Sequence, residues 1–167
     1  MIDFAGLLGA LSTHRVDYIL IGGAAAIAHG SSRFTQDLDI VYQRSPENLQ
    51  RLVNALSPHA PYLRGAPPGL PFKLDLATLK SGLNFTLTTK LGDIDLLGEI
   101  IGGGSYEKLI DKTIPLEVFG YLCPGLNLET LIAVKRAAGR PKDLEAIAEL
   151  EAIREEDQTY PSQFPVR

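Results

Sequence analysis

The stretch Ile21–Tyr42 reads IGGAAAIAHGSSRFTQDLDIVY, and its two ends decide the architecture. In DLDIVY the residues alternate, so Asp37, Asp39 and Val41 share one face of a strand while Leu38, Ile40 and Tyr42 share the other. Just upstream, Tyr18–Ile21 (YILI) is a short unbroken apolar run, the pattern of a strand buried on both faces. Gly22 and Gly23 interrupt it, and AAAIAHG then supplies helix-forming alanines as far as Gly30, a glycine suited to a C-terminal cap. The segment therefore predicts strand, glycine turn, helix and strand, with two carboxylates aimed from one strand face.

Working outward, Phe4, Leu7, Leu8 and Leu11 mark one face of an opening amphipathic helix. SPENLQRLVNAL predicts a helix with Ser45 as N-cap and Pro46 at the first helical position. Residues Ser57–Pro71 hold five prolines and two glycines and predict a long loop. Strand-like FKLDL, NFTLTT and DIDLL follow, with KLG as the turn between the last two. GEIIGGGS predicts a flexible loop, SYEKLIDKT a short helix or turn, and IPLEVFGYLCP one or two further strands. Two helices close the pattern, NLETLIAVKRAAG and PKDLEAIAELEAIREED, parted at Gly139–Pro141. The expected fold is α/β (α+β), a mixed sheet flanked by helices, in one domain over residues 1–157 with a loose tail over 158–167.

With 167 residues, 45% hydrophobic and 22% charged, the composition is that of an ordinary globular chain. A net charge of −4 and a pI near 5.4 argue against broad electrostatic adhesion to nucleic acid, and no DNA partner is expected. The single Cys123 excludes an intrachain disulfide and reads as a small buried apolar residue. No apolar run reaches the roughly 18 residues of a membrane helix, and no basic leader opens the chain, so the expected location is cytoplasmic. The three histidines are scattered without zinc-ligand spacing.

Asp37 and Asp39 lie about 7 Å apart along a strand. Carboxylates aimed together repel unless a cation sits between them, and magnesium takes hard carboxylate and phosphate oxygens. A bare D-x-D also suits two solvated turn aspartates, so its neighbours decide. DIDLL repeats the device: Asp93 and Asp95 share a face opposite Ile94 and Leu96. Asp95 is embedded in apolar residues, where a carboxylate needs a partner or a metal, while Asp93 beside Gly92 reads as a turn aspartate. Gly22–Gly23 either brings backbone N–H groups to a phosphate or serves a purely steric turn. Arg33 either holds a phosphate oxygen or makes a structural ion pair. Lys135 falls on the periodic face of Leu128, Leu131 and Ile132, either snorkelling to water or reaching a triphosphate. Asp143 complements the first turn of the last helix, with Lys135 or Arg136 as its expected partner, and Arg140 and Lys142 either contact an acceptor phosphate or form a solvated face, the reading preferred for them.

Gly22–Gly23, RFTQDLDI, GDIDLLG and LETLIAVKRAAGRPKDLEAI, in that order, resemble a nucleotidyltransferase of the DNA polymerase β superfamily, over residues 16–150. The last of these is similar to the lysine-and-aspartate signature of small prokaryotic abortive-infection and type IV toxin–antitoxin nucleotidyltransferases. The glycine motif reads Gly-Gly where that superfamily often has Gly-Ser, which leaves only backbone donors. The resemblance implies transfer of a nucleoside monophosphate from an NTP, with ATP as one such nucleotide, to an acceptor hydroxyl with release of pyrophosphate. It implies Asp37, Asp39 and Asp95 as catalytic residues holding two Mg²⁺ ions (or Mn²⁺), and Gly22, Gly23, Arg33 and Lys135 at the nucleotide. The favoured acceptor is RNA such as tRNA, with a toxin-like role and an antitoxin-like protein partner. A small molecule such as an antibiotic, or a protein side chain, is the alternative acceptor, and a non-catalytic nucleotide-binding or regulatory module is the alternative class.

Overall fold

The computed structural model describes residues 2–159. Helix α1 (Phe4–Thr13) opens the chain, capped by the Asp3 carboxylate, which accepts from the Gly6 N–H at 2.8 Å. Strand β1 (Tyr18–Ile21) runs directly into helix α2 (Gly22–Ala28), and β2 (Asp37–Tyr42) returns antiparallel to β1. Helix α3 (Pro46–Leu56) begins as expected, with Ser45 accepting from Asn48 N–H and proline in the first turn. Strand β3 (Tyr62–Leu63), helix α4 (Leu76–Ser81) and strands β4 (Asn84–Thr89) and β5 (Gly92–Leu97) follow. A small hairpin, β6 (Glu99–Ile100) and β7 (Gly104–Ser105), precedes α5 (Tyr106–Leu109), and β8 (Thr113–Val118) and β9 (Tyr121–Leu126) form a second hairpin. Helices α6 (Leu128–Ala138) and α7 (Pro141–Thr159) end the described chain.

Seven strands make one mixed sheet in the order β3-β4-β5-β2-β1-β9-β8. The pairs β2–β5 and β1–β9 are parallel and the others antiparallel. Helices α1, α3 and α4 pack in sequence on one another, and α2, α6 and α7 form a second group. The expected mixed α/β sheet flanked by helices, with two C-terminal helices, is the observed architecture. Leu38, Ile40, Ile94 and Leu96 are fully buried, which fixes the strand faces as their alternation predicts.

Three local expectations are corrected. FKLDL is not a strand: Asp75 is an N-cap whose carboxylate accepts from Thr78 N–H at 2.8 Å, and it starts α4 instead. The cap outweighed an alternation only a few residues long. The proline-rich 57–71 span is not all loop, since it holds a 3₁₀ turn (Ser57–His59) and β3, which adds an edge strand through Tyr62↔Thr88 and Leu63↔Leu87. GEIIGGGS forms the β6–β7 hairpin. The tail expected over 158–167 begins inside α7, and residues 160–167 lie outside the described residues.

Two polar clamps tie the elements that carry the aspartates. Asn48 is buried and clamps the end of the β1–β2 pair where β1 begins and β2 finishes: its Oδ1 accepts from Asp17 N–H at 2.7 Å, and its Nδ2 donates to Asp17 O at 2.9 Å and Gln43 O at 2.7 Å. Glu149 on α7 accepts from the Ser31 hydroxyl and, at 3.2 and 3.0 Å, from the Ser32 N–H and hydroxyl, fastening the loop that enters β2. Replacing Asn48 by Leu leaves Asp17 N–H and Gln43 O without their side-chain partner in a part-buried site, while Asp17 O keeps the Gln43 N–H at 3.1 Å. Each buried unsatisfied group costs about 1–3 kcal/mol. Chemical denaturation of Asn48→Leu is therefore expected to show a loss of about 1–3 kcal/mol with an unchanged m-value.

Candidate functional site

The parallel register of β2 and β5 sets Asp37 opposite Asp93 and Asp39 opposite Asp95. All four carboxylates share one sheet face because each alternates with a buried aliphatic residue. One oxygen each from Asp37, Asp39 and Asp95 lies within 4.8 Å of the others, close enough to ligate one cation. Asp39 Oδ1 is buried and has no hydrogen-bond partner. An unpaired buried carboxylate oxygen is costly, and a divalent cation with its hard-oxygen preference fits this donor set.

Electrostatics agree with the geometry. Burial, then the charges of Asp37 and Asp95, pushes the Asp39 carboxyl up to about 8, with Lys135 pulling the other way. Burial and the Asp95 charge raise Asp37 above its ordinary value, against Arg64 and Lys142. On the facing wall, burial pushes the Lys135 amine down, opposed by Asp143 and Asp39.

Gly22 and Gly23 stand beside this cluster for a steric reason. Gly22 has φ +65°, and a Cβ there would collide with Asp39 Oδ2; a Cβ on Gly23 would collide with the Thr35 side chain. Helix α2 is seven residues long, and the Asp39 and Thr35 side chains pack against its first two residues. Close approach of these side chains is therefore a steric requirement for glycine at both positions.

Two adjoining clefts open on the carboxylates. The larger, about 380 Å³, is walled by Asp39, Asp95, Leu131, Lys135 and Arg140. The smaller, about 170 Å³, is lined by Gly22, Gly23, Arg33, Asp37, Lys135 and Lys142 among others. A wider depression, about 850 Å³, lies on the flank with Phe34, Phe119 and Lys90 and touches the cluster through Asp93 alone. Chemistry is assigned to the smaller clefts because they hold the three converging carboxylates.

Not every expected residue took its expected partner. Lys135 lies on the cleft wall, as its inward periodicity allowed. Arg33 reaches the rim but pairs with Glu145 at 3.4 Å. Asp143 is buried and pairs with Arg140, Nε to Oδ2 at 2.7 Å, rather than with Lys135 or Arg136. Burial works against that carboxylate, and the Arg140 bonds outweigh it and hold it below its ordinary value. Arg140 is thus a cleft residue and not merely part of a solvated face, while Arg136 pairs with Glu151. Cys123 is buried, as expected, with its thiol directed at Leu116 O.

Sequence reading missed Arg64. It follows β3, its backbone N–H donates to Thr86 O at 3.0 Å, and its guanidinium donates to Leu87 O at 2.7 Å. The same guanidinium lies 3.6 Å from Asp37, 3.2 Å from Asp93 and 2.8 Å from Asp95. Asp93 is accordingly an ion-paired strand residue and not a free turn aspartate. No spacing signal could have found Arg64, since it stands among prolines and glycines and reaches the cluster only through the non-local β3–β4 pairing.

No family model and no curated protein matches the chain. Among solved structures, a Thermotoga maritima protein whose nucleotidyltransferase designation is provisional aligns at 13% identity with a TM-score of 0.49, over 92% of this chain and 89% of its own. Likeness at that level decides nothing about activity, and the function rests on the side chains themselves. Among the described residues no helix is long and apolar enough to cross a membrane.

Two outcomes are expected. The Asp39 carboxyl keeps its proton in the folded state up to about pH 8, whereas its ordinary value is 3.8. The unfolded chain sheds that proton first, so this group's stabilisation is full below about pH 4 and is lost as pH rises towards 8. Thermal melts of the metal-free chain should fall over that window, Asp39→Asn should flatten the fall, and Mg²⁺ should raise Tm more near pH 8.5 than near pH 6. Gly22→Ala should cost about 1–3 kcal/mol through the left-handed backbone and the Asp39 collision, and denaturant titration measures it.

Proposed function

We propose that the chain is a metal-dependent nucleotidyltransferase that moves a nucleoside monophosphate from an NTP to an acceptor hydroxyl and releases pyrophosphate. The observation that supports it is the convergence of Asp37, Asp39 and Asp95 around an unpartnered buried oxygen, at the mouth of clefts walled by cationic side chains. Asp37, Asp39 and Asp95 would hold Mg²⁺ or Mn²⁺, up to two ions, and the bound metal supplies charge neutralisation on the phosphates and activation of the attacking hydroxyl. The protein's own part is positioning. Lys135, Arg140 and Lys142 bring positive charge to the wall facing the carboxylates, where a triphosphate, ATP among others, would lie. Arg33 can join them from the rim by leaving Glu145, an exposed pair of small energetic value. The Gly22–Gly23 turn forms the floor, with no Cβ to push Asp39 out of place. Ile100, Ile101, Leu131 and Val134 give the larger cleft an apolar side suited to a base or ribose.

The favoured acceptor is RNA, such as a tRNA. Phe34 is 83% exposed and lines the wide flank groove with Arg33 and Lys90, an aromatic face beside positive charge of the kind on which unpaired bases stack. A toxin-like role restrained by a protein partner is the finer form of this reading. A small hydroxylated acceptor is the second reading, favoured by the net charge of −4, which attracts no long polyanion.

Incubation with each labelled NTP, Mg²⁺ or Mn²⁺, and total tRNA or cell extract separates the readings by where label appears. Asp37→Asn and Asp95→Asn should each reduce transfer at least about a hundredfold while circular dichroism stays that of the parent. Full activity in either variant overturns the assignment. Label in no acceptor, with any nucleotide or metal, leaves a non-catalytic nucleotide-binding module.

A further inference from the structure

The Arg64 guanidinium and the proposed cation claim the same carboxylates. Its contacts run to Asp37 Oδ2, Asp93 Oδ2 and Asp95 Oδ1, so two of its three acidic partners belong to the converging triad. The contacts are close but misaligned. Arg64 Nε and Asp95 Oδ1 are both buried and neither completes a hydrogen bond. A mature structural bridge aligns its fork on the carboxylate, with two parallel bonds. Here the Nη2 atom that approaches Asp95 is bonded instead to Leu87 O, on the neighbouring strand. The guanidinium is therefore anchored by the sheet edge and lent to the acidic cluster, and it lines neither of the two clefts that open on the triad.

We propose that Arg64 is a built-in counter-cation that competes with the divalent metal at Asp37 and Asp95, holding the site together when it is empty and lowering its affinity for metal. Lys135 and Arg140 compensate the carboxylates from the cleft wall, and Arg64 adds the cation in direct contact with Asp37, Asp93 and Asp95 that lets the fold persist without a metal ion. A positive charge within a few ångströms of the ligands must weaken cation binding. Even strongly screened, a unit charge at that distance in a half-buried site changes an affinity by about tenfold or more. The proposal rests on the metal-dependent reading of the same three aspartates.

The test is Mn²⁺ binding to the purified full chain, without nucleotide, by titration calorimetry and by the metal-induced rise in Tm. Arg64→Gln removes the charge and keeps a polar side chain able to donate to Leu87 O. It should melt lower than the parent without metal, bind Mn²⁺ at least about tenfold more tightly, and recover more of its Tm on saturation. Arg64→Lys keeps the charge without the fork and should bind within a few-fold of the parent; it also serves as the folded comparison should Arg64→Gln not fold, in which case binding markedly tighter than the parent overturns competition by charge and binding within a few-fold of the parent supports it. Binding by Arg64→Gln that is equal to or weaker than the parent's overturns the proposal and leaves the metal site standing. Mn²⁺ binding by neither the parent nor any variant overturns the metal reading and the competition together.

Discussion

The parallel pairing of β2 with β5 is the constraint on which the site depends. Paired positions on the two strands lie 56 residues apart in sequence, and a shift of one residue would turn either pair of aspartates to the opposite face. Leu38 and Ile40 on one strand and Ile94 and Leu96 on the other prevent that shift, because each is fully buried. The apolar core thus sets the register, and the register sets Asp39 opposite Asp95. The chemistry is held in place by residues that take no part in it.

That arrangement sits against a cost. Four carboxylates on one face repel, and Asp39 is buried enough to be pushed up to about 8. The fold carries its own partial compensation in Arg64 on one flank and in Lys135 and Arg140 on the other. Asp143, buried and paired to Arg140, holds that second group at the junction of α6 and α7. The site is a region of stored electrostatic stress, of the kind that clusters at functional sites.

The legible parts of the sequence were those where period and chemistry agreed. DLDIVY and GDIDLL alternate over six residues, and both became strands with the predicted faces. Ser45-Pro46 announced α3, and the α6–α7 break fell at the glycine and proline. FKLDL misled because an alternation of five residues says little beside one good cap at Asp75. The 57–71 span hid β3 because a two-residue edge strand has no period, only a neighbour.

The sequence by itself determined the faces of β2 and β5, the start of α3 and the alternation that turns Asp37 with Asp39, and Asp93 with Asp95, to one side of its strand. Those follow from local geometry, since side-chain direction and capping are settled within a few residues. Only the tertiary structure decided that Gly22 exists to admit the Asp39 carboxylate, that Asp143 belongs to Arg140, and that Arg64 stands among the aspartates. Charge partners are chosen by distance in space, and strand pairing across dozens of residues sets that distance with no trace in local spacing.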